Sequence, residues 1–172
     1  KKTGNCKKLI VTGCMVERYS QELSREIPEV DAFWGTGNLL KINEVLEQEK
    51  PGKINHYPPG TLYDPDSPRI MLTPSHSAFV KVSEGCSRTC SFCIIPKMRG
   101  IMKSRTIDSI VGEIDSLAQK GVREINLIAQ DMTSYGRDIG TNLETMLRES
   151  AKVQDIKWIR IHYWYPWGIT DS

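Results

Sequence analysis

Apolar positions along the chain follow two rhythms. Residues 9–12, Leu-Ile-Val-Thr, form a short β-branched run closed by Gly13, the pattern of a buried parallel strand. Val16, Tyr19, Leu23 and Ile27 then recur at helical spacing until Pro28 stops the helix. A second strand is expected over 30–34, ended by the turn residues Gly35 and Gly37. A second helix is expected from Asn38 as N-cap, with Leu39, Ile42, Val45 and Leu46 on one face. This βαβα order predicts a small Rossmann-like or flavodoxin-like layer, incomplete without an upstream part.

Between about 50 and 74 the character changes. Six prolines, Pro51, Pro58, Pro59, Pro65, Pro68 and Pro74, with Gly52 and Gly60, exclude regular helix and central strand. The stretch 51–76 reads as a linker between two domains, 1–50 and 77–172, with one edge strand expected near 70–72. The second domain opens with a strand over 78–83. Its clearest helix follows, with Ile107, Ile110, Val111, Ile114, Leu117 and Ala118 on one face, Thr106 to cap it and Gly121 to end it. A strand over 124–129, a helix over 142–153 and a strand over 157–163 complete the alternation. The fold class is therefore α/β, and the second domain is a parallel sheet built by βαβ crossovers, the opening of a barrel. Active sites of such folds lie at the C-terminal strand ends, which places a cysteine loop after the first strand, Gln130-Asp131 after the second and His162-Tyr163 after the third.

Composition narrows the class only a little. The chain has 172 residues, 39% hydrophobic and 26% charged, with a formal net charge of +2. Near-neutrality gives no ground for broad electrostatic binding to nucleic acid. No apolar run approaches the ~18 residues of a membrane span. The cysteines are Cys6, Cys14, Cys86, Cys90 and Cys93, an odd number with three clustered, which fits a reducing, cytoplasmic setting better than a secreted disulfide framework. Starting at Lys1 without a methionine and stopping after a strand-like run, the sequence reads as an excerpt of a longer protein.

The chemistry centres on Cys86-Ser87-Arg88-Thr89-Cys90-Ser91-Phe92-Cys93. Three thiolates are one short of the four that close a structural zinc or an ordinary iron–sulfur cluster, which leaves one metal position open. A non-enzymatic zinc-binding module needs a fourth ligand, and His76 precedes the strand rather than joining the loop. The spacing C-x3-C-x2-C, rather than paired C-x2-C knuckles, favours iron–sulfur. Cys14, at a strand end, suits either a buried thiol or a ligand, and Cys6 reads as a free structural thiol. Asp131 reads as a strand-end cap. Arg99 and Arg105 suit a carboxylate through bidentate pairing or serve as solvated loop charges. Trp158, Tyr163, Trp164, Tyr165 and Trp167 read mostly as barrel packing and rim, and His162 as a satisfied core histidine.

The triplet, with Phe92 before its last cysteine, resembles the radical S-adenosylmethionine (SAM) enzymes. Ser83-Glu84-Gly85-Cys86, Ile94-Ile95-Pro96-Lys97-Met98-Arg99-Gly100, Ser104-Arg105, and Gly121-Val122-Arg123-Glu124-Ile125 running into Ala129-Gln130-Asp131 are similar to their methylthiotransferase branch. The resemblance implies a partial N-terminal methylthiotransferase domain followed by the first part of a radical SAM, TIM-type β/α barrel. It implies that Cys86, Cys90 and Cys93 hold a 4Fe–4S cluster whose fourth iron binds the amino and carboxylate groups of SAM. A reduced cluster then passes one electron to the sulfonium and releases a 5′-deoxyadenosyl radical. Cys14 matches the third ligand of an auxiliary 4Fe–4S cluster, two clusters per full-length chain. Phe92, Gln130, Arg99 and Arg105 are the implied SAM contacts, Gln130 toward the amino group. Within the branch, the Ile94-to-Gly100 stretch, Gln130-Asp131 and His162-Tyr163-Trp164-Tyr165-Pro166 resemble the type that modifies an aspartate of ribosomal protein S-twelve, rather than the type that modifies adenosine in transfer RNA. Implied partners are that protein or the small ribosomal subunit, and an electron donor such as flavodoxin or ferredoxin.

Overall fold

The alternation of short apolar runs and amphipathic stretches becomes two separate parallel sheets in the computed structural model, which describes residues 4–37, 41–47, 54–55, 62 and 69–168. The chain divides into two compact units, one of Lys1–Thr61 with Arg88–Gly100, the other of Leu62–Ser87 with Ile101–Ser172.

In the first unit, β1 (Ile10–Thr12), β2 (Ala32–Trp34) and β3 (Ile54–Asn55) form a parallel sheet in that order. Helix α1 (Cys14–Glu26) connects the first two strands. Strand alternation sorts the side chains between the faces. Val11 and Phe33 pack with Val16, Leu23, Val30 and Ile27, whereas Ile10, Ala32 and Trp34 cluster separately. Tyr19, expected to face inward, is exposed. The helical dihedrals break at that residue, and the Arg18 guanidinium lies 4.7 Å over its ring. Helix α2 (Ile42–Glu47) is present, but its expected cap Asn38 and Leu39 lie outside the described residues. A short helix that periodicity did not predict, α3 (Ile95–Arg99), has Pro96 in its first turn, where a missing N–H costs nothing.

The second unit is built on β4 (Ser77–Lys81), β7 (Glu124–Ile128) and β8 (Trp158–Ile161), parallel and in that order. Two-residue strands β5 (Ser83–Glu84) and β6 (Lys103–Ser104) pair antiparallel just beyond β4. Helices α4 (Ile107–Gln119) and α5 (Leu143–Ser150) begin where expected. The Thr106 hydroxyl and Asn142 side-chain oxygen accept from Ser109 N and Thr145 N. The core joins one face of the sheet to these helices: Ala78, Val80 and Val82, Ile125, Leu127 and Ala129 meet Ile110, Ile114, Leu117 and Met146. Complete burial of an Ile or Leu side chain contributes about 1.5–3 kcal/mol, so this cluster dominates the unit. No strand forms at 70–72; Ile70 and Leu72 are exposed there. The expected barrel aromatics Trp158, Tyr163 and Trp167 are also exposed, because β8 is the edge strand of the described sheet.

Candidate active site

The turn into the cysteine loop is made at Gly85, whose φ of 78° suits a residue without Cβ. Before it, the buried Glu84 carboxylate is ion-paired with Lys81 and accepts from Gly85 N at 3.2 Å. After it, Ser87 Oγ accepts from Met102 N at 3.1 Å, which ties the outgoing strand to the returning one. Cys86 is buried, Cys90 and Cys93 are half-buried, and all three are free thiols. Cys86 belongs to the second unit and Cys90 and Cys93 to the first. Cys93 N donates to Cys90 O at 3.0 Å, so a single turn separates those two. Among the described residues, no three or more His, Cys, Asp or Glu side chains are gathered as a metal site. Phe92 is 91% exposed and Arg99 is half-buried in α3.

At the C-terminal end of the sheet, Val82 N donates to Ile128 O at 3.0 Å and prolongs the β4–β7 ladder by one step. Beyond it stand two oxygens with nothing to bind. Ser83 Oγ and Gln130 Oε1 are both buried and have no hydrogen-bond partner among the described residues. A buried polar atom left in this state costs about 1–3 kcal/mol. Neighbouring Asp131, by contrast, accepts from Thr133 Oγ1 at 2.7 Å and Ser134 Oγ at 2.6 Å, side chain to side chain, and makes no capping bond to the backbone of the turn it precedes.

Arg105, expected to suit the carboxylate of SAM, is bonded within the protein. The side chain is buried, and its Nη1 donates to Lys81 O at 2.8 Å and Glu113 Oε2 at 2.6 Å. Its Nη2 donates to Ser109 O at 3.0 Å. The guanidinium thus joins the end of β4 to α4. The physical reason is a buried cation's need for a counter-charge, which Glu113 supplies from α4. Tyr135 Oη donates to Arg105 O at 2.7 Å, and burial pushes its phenol up to about 12. Asp138 Oδ2 accepts from Ser104 N at 2.8 Å. Burial opposes the charge on Asp138, but hydrogen bonds from Ser104 prevail and hold its carboxyl below the usual range. Gly136, at φ 83°, donates to Ser104 Oγ at 2.9 Å, and a Cβ there would meet Thr141 backbone at 2.7 Å.

The sheet face opposite the helices carries a polar chain that periodicity did not disclose. Arg160 Nε donates to Glu124 Oε1 at 3.0 Å, and this bond is the main reason that the Glu124 carboxyl lies below its usual range. Asn126 Nδ2 donates to Glu124 Oε1 at 3.2 Å and Ser77 Oγ at 3.0 Å. A carboxylate only accepts, so the Asn126 amide is oriented with Oδ1 toward His162, 3.2 Å from Nε2. In this contact Nε2 of His162 is therefore the donor. His162 is satisfied, as expected, but exposed rather than in the core. The alternation Glu124, Asn126 against Ile125, Leu127 was the available signal for this face.

In the first unit, Cys14 is half-buried at the start of α1, directly after Gly13, whose N donates to Trp34 O at 3.2 Å. One turn on, Glu17 Oε2 accepts from Thr36 N at 2.8 Å, and Thr36 Oγ1 lies 2.9 Å from Met98 O in α3. A Cβ on Gly35 would collide with the Glu17 carboxylate, so the turn after β2 is packed against α1 without a side chain. Cys6 is exposed, and its thiol donates to Lys8 O at 3.2 Å.

Residues 80–163, from mid-β4 through β8 and the strand-end residues beyond it, match the Radical SAM superfamily. The chain belongs to that superfamily. Its whole length is similar to ribosomal protein uS12 methylthiotransferase RimO of Geobacter sulfurreducens, 46% identical across 100% of the chain and 40% of the relative. The RimO proteins of Syntrophotalea carbinolica and Myxococcus xanthus are 44% and 47% identical, across 100% and 96% of the chain and 39% and 35% of their own lengths. The chain thus spans about 40% of the length of the curated relatives it matches. The solved radical SAM methyltransferase TsrM of Kitasatospora setae overlaps 41% of the chain and 13% of its own, at TM-score 0.34 and 25% identity, too little to bear on the fold.

Radical SAM proteins bind an iron–sulfur cluster and SAM, and the donor chemistry of this chain suits both, although its three loop thiols are not gathered as a site among the described residues. Three reduced thiols in one loop are a soft donor set for iron. Gln130 Oε1, an acceptor lacking a donor at the strand end, fits an N–H-bearing ligand.

Proposed function

We propose that this chain is the cluster-binding part of a radical SAM methylthiotransferase that places a methylthio group on the β-carbon of an aspartate in ribosomal protein uS12. The observation that carries the reading is the likeness to uS12 methylthiotransferases along the whole chain, so that the Cys14 region is matched together with the cysteine triplet. Cys86, Cys90 and Cys93 hold the 4Fe–4S cluster, and Cys14 is one ligand of the auxiliary cluster. With SAM, these cofactors supply the radical that removes a substrate hydrogen and the sulfur that replaces it.

The chain's own residues position and insulate. Gln130 accepts from the SAM amino group. Arg99 pairs with its carboxylate, and the exposed Phe92 contacts the bound cofactor. Arg105, with its donors taken up by Glu113, Ser109 and Lys81, keeps the strand end rigid beneath that loop. Residues 1–50 belong to the auxiliary-cluster domain, 51–76 to the linker and 77–172 to the radical SAM domain. The electron arrives from a flavodoxin or ferredoxin, and the setting is the cytoplasm, where ribosomes are assembled.

Anaerobic reconstitution of the full-length protein with iron and sulfide tests this reading. Iron and sulfide matching two clusters, with SAM cleaved to 5′-deoxyadenosine on reduction, is the expected result. A single cluster, or no cleavage, contradicts it.

A further inference from the structure

We propose that Ser83 is a second contact for the SAM amino group, acting beside Gln130; this rests on the radical SAM reading above. Ser83 is 1% exposed, and its hydroxyl oxygen has no partner among the described residues. Among the described residues, the other orphan at this end of the sheet is Gln130 Oε1. Both lie just past the end of the β4–β7 ladder. Lys81 pairs with Ile128 across the parallel β4–β7 ladder, and Val82 N continues it to Ile128 O. Ser83, which pairs with Ser104 of β6, stands two residues beyond Lys81, and Gln130 stands two beyond Ile128. Val82 and Ala129 lie in the helix-facing core, so alternation assigns Ser83 and Gln130 to the opposite face, together with Asn126 and His162.

Chemistry decides what such a pair takes. Charged groups close by are already engaged: Lys81 with Glu84, and Arg105 with Glu113. What remains is two neutral oxygens that can accept. An amino group whose lone pair is spent on a metal keeps two N–H bonds, and two acceptors without donors match that number. Ser83 thereby gives the strand that precedes the cysteine loop a role in orienting SAM, beyond leading into the first thiol.

The competing role is structural: a hydroxyl bridged to its surroundings by a buried water, indifferent to SAM. Full-length protein, reconstituted anaerobically, separates the two by calorimetric binding of S-adenosylhomocysteine and of its analogue lacking the amino group. Ser83→Ala is expected to weaken S-adenosylhomocysteine about tenfold, the size of one hydrogen bond. The same change should leave the deaminated analogue unaffected, and Ser83→Thr should restore binding. Thermal unfolding of Ser83→Ala without cluster should be equal to or above wild type, since a buried hydroxyl without a partner has been removed. Equal binding by wild type and Ser83→Ala overturns the proposal while leaving the radical SAM reading intact, as does loss of the cluster from Ser83→Ala. Failure of wild type itself to bind overturns both.

Discussion

Arg105 and Glu113 form a buried ion pair, Nη1 to Oε2 at 2.6 Å, with side chains 3% and 8% exposed. The same carboxylate accepts from Arg69 Nη1 at 2.8 Å, so one acid holds two guanidiniums. Arg69 also donates to Phe79 O and Arg105 to Lys81 O, which ties α4 to two points along β4. Glu113→Gln leaves a buried cation without its counter-charge, and such one-sided breaks cost about 3–5 kcal/mol. Urea unfolding of the variant should show a loss of that size. A loss below about 1 kcal/mol, the size of an exposed pair, would contradict the structural role given to Arg105.

Tyr135 should titrate late. Its folded pKa is raised from 10.0 to about 12, so the neutral phenol is the form that the fold favours. The stability this contributes is complete below pH 10 and is lost as pH rises through the folded value near 12. Absorbance of the phenolate should show one tyrosine ionising well after the others, and Tyr135→Phe should remove that step. The same variant leaves Arg105 O without its hydroxyl donor, at a cost of about 1 kcal/mol.

Acid should weaken the polar chain at Glu124. Because its folded pKa is depressed below 4.5, Glu124 contributes stability above that value and loses it as pH falls through the folded one. Glu124→Gln should flatten this part of the acid limb. It should also free Asn126 to flip, since glutamine offers a donor where the carboxylate only accepted. Nitrogen NMR of His162 is predicted to show the Nε2–H tautomer in wild type and a mixture in Asn126→Ala. A mixture in wild type would refute the orientation derived for Asn126.

How much of this could be read in the sequence follows from how one-sided each element is. Helix α4 presents Ile107, Ile110, Ile114 and Leu117 to one core and polar residues to water, so periodicity located it together with its Thr106 cap. Strands β5 and β6 have two residues each, too few to carry a period, and α3 has five with a proline. At 70–72, three apolar residues suggested an edge strand, yet none forms there and Ile70 and Leu72 stay exposed. Gln130 was legible as a strand-end residue. What singles it out, a buried oxygen with no donor, is a property of neighbours that sequence does not show. Arg105 shows the same limit in reverse: its bond to Glu113, eight residues later on α4, is also a property of neighbours.

The cysteines should divide by role. Cys90→Ala in the reconstituted full-length protein is expected to abolish reductive SAM cleavage, because two thiolates do not retain the cluster. Cys6→Ala removes an exposed thiol bonded only to Lys8 O, and should leave both iron content and cleavage at wild-type levels. Loss of cleavage in Cys6→Ala would assign that thiol a ligand role instead.

The substrate assignment is tested most directly by mass spectrometry. Full-length, reconstituted protein is incubated with SAM, sulfide and a reductant, in parallel with ribosomal protein uS12 and with transfer RNA. The predicted result is a methylthio group on one aspartate of uS12 and none on the RNA. A methylthio group on adenosine, with uS12 unchanged, would contradict it.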